Sequence, residues 1–101
     1  MTSRYFSWDE TKNQTNKQKH RVSFEQAAHV FSDPLHVSFQ DRVEEHEIRW
    51  QTIGSVGGVV LLLVAHAVFE SLGDDGGEIE VIRIISARKA TCKERMRYEN
   101  S

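Results

Sequence analysis

Residues 83–97 carry Arg83, Arg88, Lys89, Lys93, Arg95 and Arg97, with Glu94 as their one acid. A second cationic stretch, residues 12–21, holds Lys12, Lys17, Lys19, His20 and Arg21 and no acid at all. Arg83 is the most informative of these, because it sits inside a β-branched run, Ile79-Glu80-Val81-Ile82-Arg83-Ile84-Ile85. Such a run favours a strand over residues 79–86, and alternation puts Arg83 on the face of Ile79, Val81 and Ile85. A guanidinium does not give up its proton, so on an apolar face it demands an anion or a strong acceptor. With Arg88 and Lys89 expected just past the strand's end, the stretch reads as an anion-binding wall, and a phosphate of RNA as the anion. On residue chemistry alone, the plainer account weighs more: Arg83 pairs with an internal carboxylate and the remaining cations are solvated.

The rest of the composition bounds what these cations serve. A chain of 101 residues, 39% hydrophobic and 28% charged, fits one soluble domain with one core, residues 1–101. The longest apolar run, residues 59–65, is far short of the roughly 20 residues a membrane span needs. With no charged-then-apolar N-terminal pattern, the expected location is the cytoplasm. A single cysteine, Cys92, excludes an internal disulfide and a cysteine zinc cluster. The net charge of −2 does not by itself announce a nucleic-acid binder. Acids gather in residues 41–47 and 70–80, however, so the two basic segments would form one positive field if the fold brings them together.

The elements that must position these residues can be read in order. Residues 1–5 are expected to be loose, and Phe6 and Trp8 suit a short strand. Residues 10–19 form a helix that is polar on every side, with Lys12, Asn16 and Lys19 (and His20) along one face. Ser23 and Gln26 make a capping box ahead of Phe24, Ala27, Ala28 and Phe31, and Asp33-Pro34 ends that helix. Strands follow over residues 35–40 and 47–53, the first ending in an acidic turn at 41–45. A glycine-rich hairpin loop spans 54–58, and a strand covered on both faces spans 59–69. His66 reads as a hydrogen-bonded core histidine. An acidic loop over 70–77 leads to the strand with Arg83, and Thr91 with Glu94 caps a last helix running to about Glu99. The class is α+β: one antiparallel sheet of four to five strands, two N-terminal helices and one C-terminal helix.

Several blocks make the chain resemble the BrnT toxins of bacterial type II toxin–antitoxin systems. They are Phe6-x-Trp8-Asp9-x-x-Lys12, Asn16-x-x-Lys19-His20-x-Val22-Ser23-Phe24-Glu25-x-Ala27 and Val30-Phe31-x-Asp33-Pro34. Further on come Arg49, Ile53-Gly54, the leucine-rich strand to His66, and Ile82-Arg83-Ile84-Ile85-Ser86-Ala87-Arg88-Lys89-Ala90-Thr91 with Glu94-Arg95 and Tyr98-Glu99. The resemblance implies a RelE-like fold and a small ribonuclease that needs no metal or other cofactor. It also implies a BrnA-like antitoxin as inhibitor, operator DNA met only through that antitoxin, and a dimer or a heterotetramer with it. Two positions depart from the family pattern: Arg21 stands where a glycine is usual, and Phe69 falls where an arginine is common.

Metal-free RNA cleavage needs a base for the 2′-hydroxyl proton, cations for the charge growing on phosphorus, and an acid for the leaving oxygen. Arg83 and Arg88 suit the second task, because a planar fork matches two phosphate oxygens. Lys12 adds a point charge, and His20 titrates near neutrality and can serve as base or acid. These four are the candidate catalytic residues, with Lys19, Asn16, Lys89, Arg95 and Tyr98 as candidate substrate contacts. One rival is a catalytically weak homologue that binds antitoxin as a co-repressor, to which Phe69 lends weight. A weaker rival, a direct DNA-binding regulator, lacks a helix-turn-helix pattern.

Overall fold

The structure, a computed structural model, describes residues 3–101. Strand β1 (Ser3–Ser7) is followed by helices α1 (Glu10–His20) and α2 (Phe24–Ala28) and a 3-10 helix, His29–Ser32. Strands β2 (Val37–Glu44), β3 (Glu47–Val56), β4 (Val60–Leu72) and β5 (Glu78–Lys89) come next, and helix α3 (Cys92–Glu99) closes the order. The five strands form one sheet in the order β1-β5-β4-β3-β2. Strands β2 to β5 are antiparallel neighbours, as the short connections require, whereas β1 runs parallel to β5. The sheet is thus mixed, not wholly antiparallel. Residues 3–5 belong to its edge instead of being loose; residues 1 and 2 lie outside the described part.

The two sides of the sheet are covered differently. On one, α2 and the 3-10 helix contribute Phe24, Ala27, Val30 and Phe31, buried against Leu62, Val64, Ile82, Ile84 and Ala87. Phe24 is wholly buried, a burial that contributes about 2–3 kcal/mol. On the other side, Ile53, Leu61 and Leu63 form a smaller cluster against Val37, Phe39, Ala90 and Tyr98 of α3. Gly54 belongs to β3 and not to the hairpin loop. A Cβ there would meet Val30 Cγ1 at 2.7 Å and Val30 O at 2.9 Å, so glycine lets β3 approach the 3-10 helix.

Helix α1 has no apolar stripe, and the structure shows what replaces it. Its buried residues are Asn13 and Asn16. Asn13 accepts from the backbone N–H of Phe24 and donates to Glu25 and Glu10. Asn16 donates to the carbonyls of Val22 and Ala87 and accepts from the N–H of Ala87. A helix without hydrophobic surface is therefore held by amide side chains that satisfy the backbone of its neighbours. Asp9 caps its N-terminus, and Arg21 ends it in the left-handed region at φ 61°. A glycine adopts that conformation freely; a residue with a Cβ pays about 1–2 kcal/mol.

Both expected capping boxes are present, at Ser23–Gln26 and Thr91–Glu94. Strands β2 to β5 are all longer than their sequence indicates, β3 reaching Val56 and β4 running on through part of the expected acidic loop to Leu72. β2 continues through the acidic residues to Glu44 and turns at Glu45-His46, both with positive φ, 51° and 64°. β5 continues to Lys89, so Arg88 and Lys89 lie within the strand. A register shift opposite Ala65 and His66 makes a bulge that leaves Ile85 unmatched.

Candidate active site

Arg83 lies between the buried Ile82 and Ile84, so it projects from the opposite side of the sheet to α1 and α2. Its Nη2 donates to Glu47 Oε1 of β3 at 2.5 Å, reaching across β4. Its guanidinium carbon stands 5.3 Å from the centre of the Phe69 ring on β4. Arg49, also on β3, places Nε 3.0 Å from the same Glu47 oxygen, at an angle that makes it an ion pair without an aligned hydrogen bond. One carboxylate oxygen is thus shared between two guanidinium groups. The Arg83 side chain remains 41% exposed. This cluster lies on the part of the sheet beyond the patch that α3 covers.

Arg88 shares the side of Arg83, since its partner across the ladder is Leu63 of the α3-side cluster. The partners of the two arginines, Ala67 and Leu63, are four positions apart on β4, roughly 13 Å along the strand. The fork of Arg88 is turned onto Glu94, with bonds of 2.8 and 2.9 Å. These bonds raise the Arg88 pKa and lower that of Glu94. Glu94 also accepts from the Thr91 N–H, so Arg88 ties the start of α3 to β5. Arg95 is exposed on α3, and Arg97 lies 3.7 Å over the Phe39 ring.

The N-terminal candidates lie elsewhere. The bonds from Asn16 to Ala87 bring the two basic segments into contact, held by hydrogen bonds to the backbone and against the repulsion of their like charges. They do so on the helix-covered side: Lys89 pairs with Leu62 of the helix-side core, and α1 carries Lys12, Lys19 and the half-buried His20 there. The sheet separates Lys12 and His20 from Arg83 and Arg88, so a groove lined by all four does not form. Asn16 is 6% exposed with its amide satisfied, which makes it a structural residue and not a substrate contact. Tyr98 donates to Asp33 Oδ2 at 2.7 Å. That bond, with burial, pushes its phenol above the ordinary value, the wrong direction for a base. In Asp33, burial favours the neutral form. The bonds from Tyr98 and from the Leu35 and Ser55 N–H groups outweigh it and hold the carboxyl below its usual range.

His66 is buried, as its place in an apolar strand indicates, and its Nε2 is 2.7 Å from Thr52 Oγ1, which is 2.7 Å from Ser38 Oγ. Burial, with a smaller effect of His36, lowers its pKa to about 4. Among the described residues no group of three or more His, Cys, Asp or Glu is placed to hold a metal ion. Sequence reading missed Glu47 as a site residue and left Arg49 without a role. The Glu47-x-Arg49 alternation in β3 was a visible signal, but only the sheet order shows that Arg83 faces it.

Fold and cluster together define a small α+β protein with a five-stranded sheet bearing an arginine–carboxylate cluster on its open side. A family model described as the ribonuclease toxin BrnT of type II toxin–antitoxin systems matches residues 8–94. The chain belongs to that family of ribonuclease toxins. Its fold is similar to that in the 1.1 Å crystal structure of the Brucella abortus ribonuclease toxin BrnT. The TM-score is 0.55 at 23% identity, over 88% of this chain and 97% of that one. No curated protein matches the chain.

Proposed function

We propose that residues 1–101 act as one toxin domain that cuts RNA without a metal ion and thereby halts translation in the cytoplasm. A BrnA-like antitoxin holds it inactive, and operator DNA is met through that antitoxin in a dimeric or heterotetrameric complex. The observation that carries the reading is Arg83. It is a permanently charged fork on an uncovered part of the sheet, with one N–H bonded to Glu47 and the others available to phosphate oxygens. Phe69 beside it, a residue 41% exposed, gives a base an aromatic surface. Arg88 acts by fixing α3, which carries Arg95 and Arg97 along the margin of the same side. Lys12, Lys19, His20 and Lys89 form a separate basic surface beside α1, suited to holding RNA away from the cut.

Cleavage of RNA by the purified chain, and of cellular RNA after induction without antitoxin, tests the reading. Arg83→Ala should lower cleavage about 10²–10³-fold while the protein stays folded. Intact RNA after induction of the unaltered chain would favour the co-repressor reading instead.

A further inference from the structure

Building on the reading that Arg83 holds the scissile phosphate, we propose that Glu47 is the general base for the 2′-hydroxyl, a catalytic residue beside that phosphate. Three features of its placement argue for this. First, Glu47 Oε1 is occupied by Arg83 and Arg49, whereas Oε2 accepts no hydrogen bond from any described residue. The carboxylate is therefore oriented by one oxygen and free at the other, as a proton acceptor should be. Second, its side chain is 21% exposed, enough for a substrate hydroxyl to reach it while the carboxylate stays pinned. Third, it is in direct contact with the guanidinium that binds phosphate, so the proton acceptor and the charge stabiliser are neighbours by construction.

The charged groups facing Glu47 are Arg83 from β5 and Arg49 from its own strand, with Glu44 of β2 3.7 Å from Arg49 and Arg42 3.4 Å from Glu44. Phe69 is the side chain from β4 in this cluster. In the step, Glu47 takes the 2′-hydroxyl proton as the 2′-oxygen bonds to phosphorus. The phosphorus–5′-oxygen bond breaks, and that oxygen leaves with a proton from water. The products are a 2′,3′-cyclic phosphate end and a 5′-hydroxyl end, and Glu47 returns its proton to solvent. Arg83 and Arg49 hold the negative charge as it spreads over the phosphoryl oxygens.

The experiment is the pH–rate profile of cleavage of a short RNA by the unaltered chain, Glu47→Gln and Glu47→Asp, with end-group analysis of the products. Expected are an acid-side limb in the unaltered chain, a loss of about 10²-fold or more in Glu47→Gln together with that limb, and partial recovery in Glu47→Asp. A Glu47→Gln variant that keeps the acid-side limb, or products ending in a 3′-hydroxyl, would overturn the assignment. If Arg83→Ala retains full activity, the phosphate site itself is misplaced. If Arg83→Ala is inactive while Glu47→Gln keeps the limb, the site stands and only the base is wrong.

Discussion

At the scale of single residues, the placement of polar groups in the interior sets both what is stable and what reacts. His66 is 3% exposed and keeps only its Nε2 hydrogen-bonded, so charging it in the folded state is unfavourable. Its pKa falls from 6.5 to about 4 through burial. The unfolded chain binds this proton as pH drops through 6.5, whereas the folded chain resists until about 4. The histidine's contribution is thus fully present above pH 6.5 and is lost progressively as pH falls to about 4, by at most roughly 3 kcal/mol. Urea unfolding between these two pH values should show stability falling with acid, and His66→Gln should flatten that dependence. Asn16 is a residue of the same kind: a polar type that advertises a binding face, yet is consumed by the backbone of Val22 and Ala87.

At the scale of elements, contacts at a few positions decide how the sheet is dressed. Helix α3 is short and has no fully buried residue. Its anchors are Arg88 on Glu94 at one end and Tyr98 on Asp33 at the other. The Arg88 side chain is 38% exposed, so solvent screens the pair and its worth is on the order of 1 kcal/mol. Arg88→Ala should therefore leave the sheet intact, with hydrogen exchange in α3 faster and cleavage reduced less than by Arg83→Ala. Equal losses in the two variants would show that Arg88 touches the substrate. Strand β5 links the two sides: Asn16 grips it at Ala87, and the bulge at Ile85 lies between Arg83 and that grip.

At the scale of the whole molecule, the net charge of −2 hides a division of labour. Acidic side chains occupy the β2–β3 and β4–β5 turns, while cations lie on both sides of the sheet near β5 and α3. Long-range attraction of RNA by such a molecule is weak, and binding depends on a few local phosphate contacts. Binding of a short RNA to a cleavage-deficient variant should therefore weaken with salt only modestly. Two or three contacts give a slope of log affinity on log salt of about −2. A slope far steeper would require RNA to engage the basic surface beside α1 as well.

The residue types alone settled a good deal. Side-chain period placed the apolar face of α2, because burial of that face is a local demand of its own pattern. In β5 it put Arg83 on one face with Ile79 and Val81, but the buried face is the other, with Ile82, Ile84 and Ala87. The two capping boxes and the Asp33-Pro34 stop were legible because they too are local, being satisfied within a few residues. What lay out of reach was everything that depends on which strand sits beside which. The parallel pairing of β1 with β5, the asparagine-mediated docking of α1, and the sharing of Glu47 between Arg49 and Arg83 join residues 36 to 76 positions apart, or arise only once the strand order exists. Chain composition marks which side chains are able to hold a phosphate; the sheet, by putting neighbours of Arg83 on opposite sides, decides which of them face it.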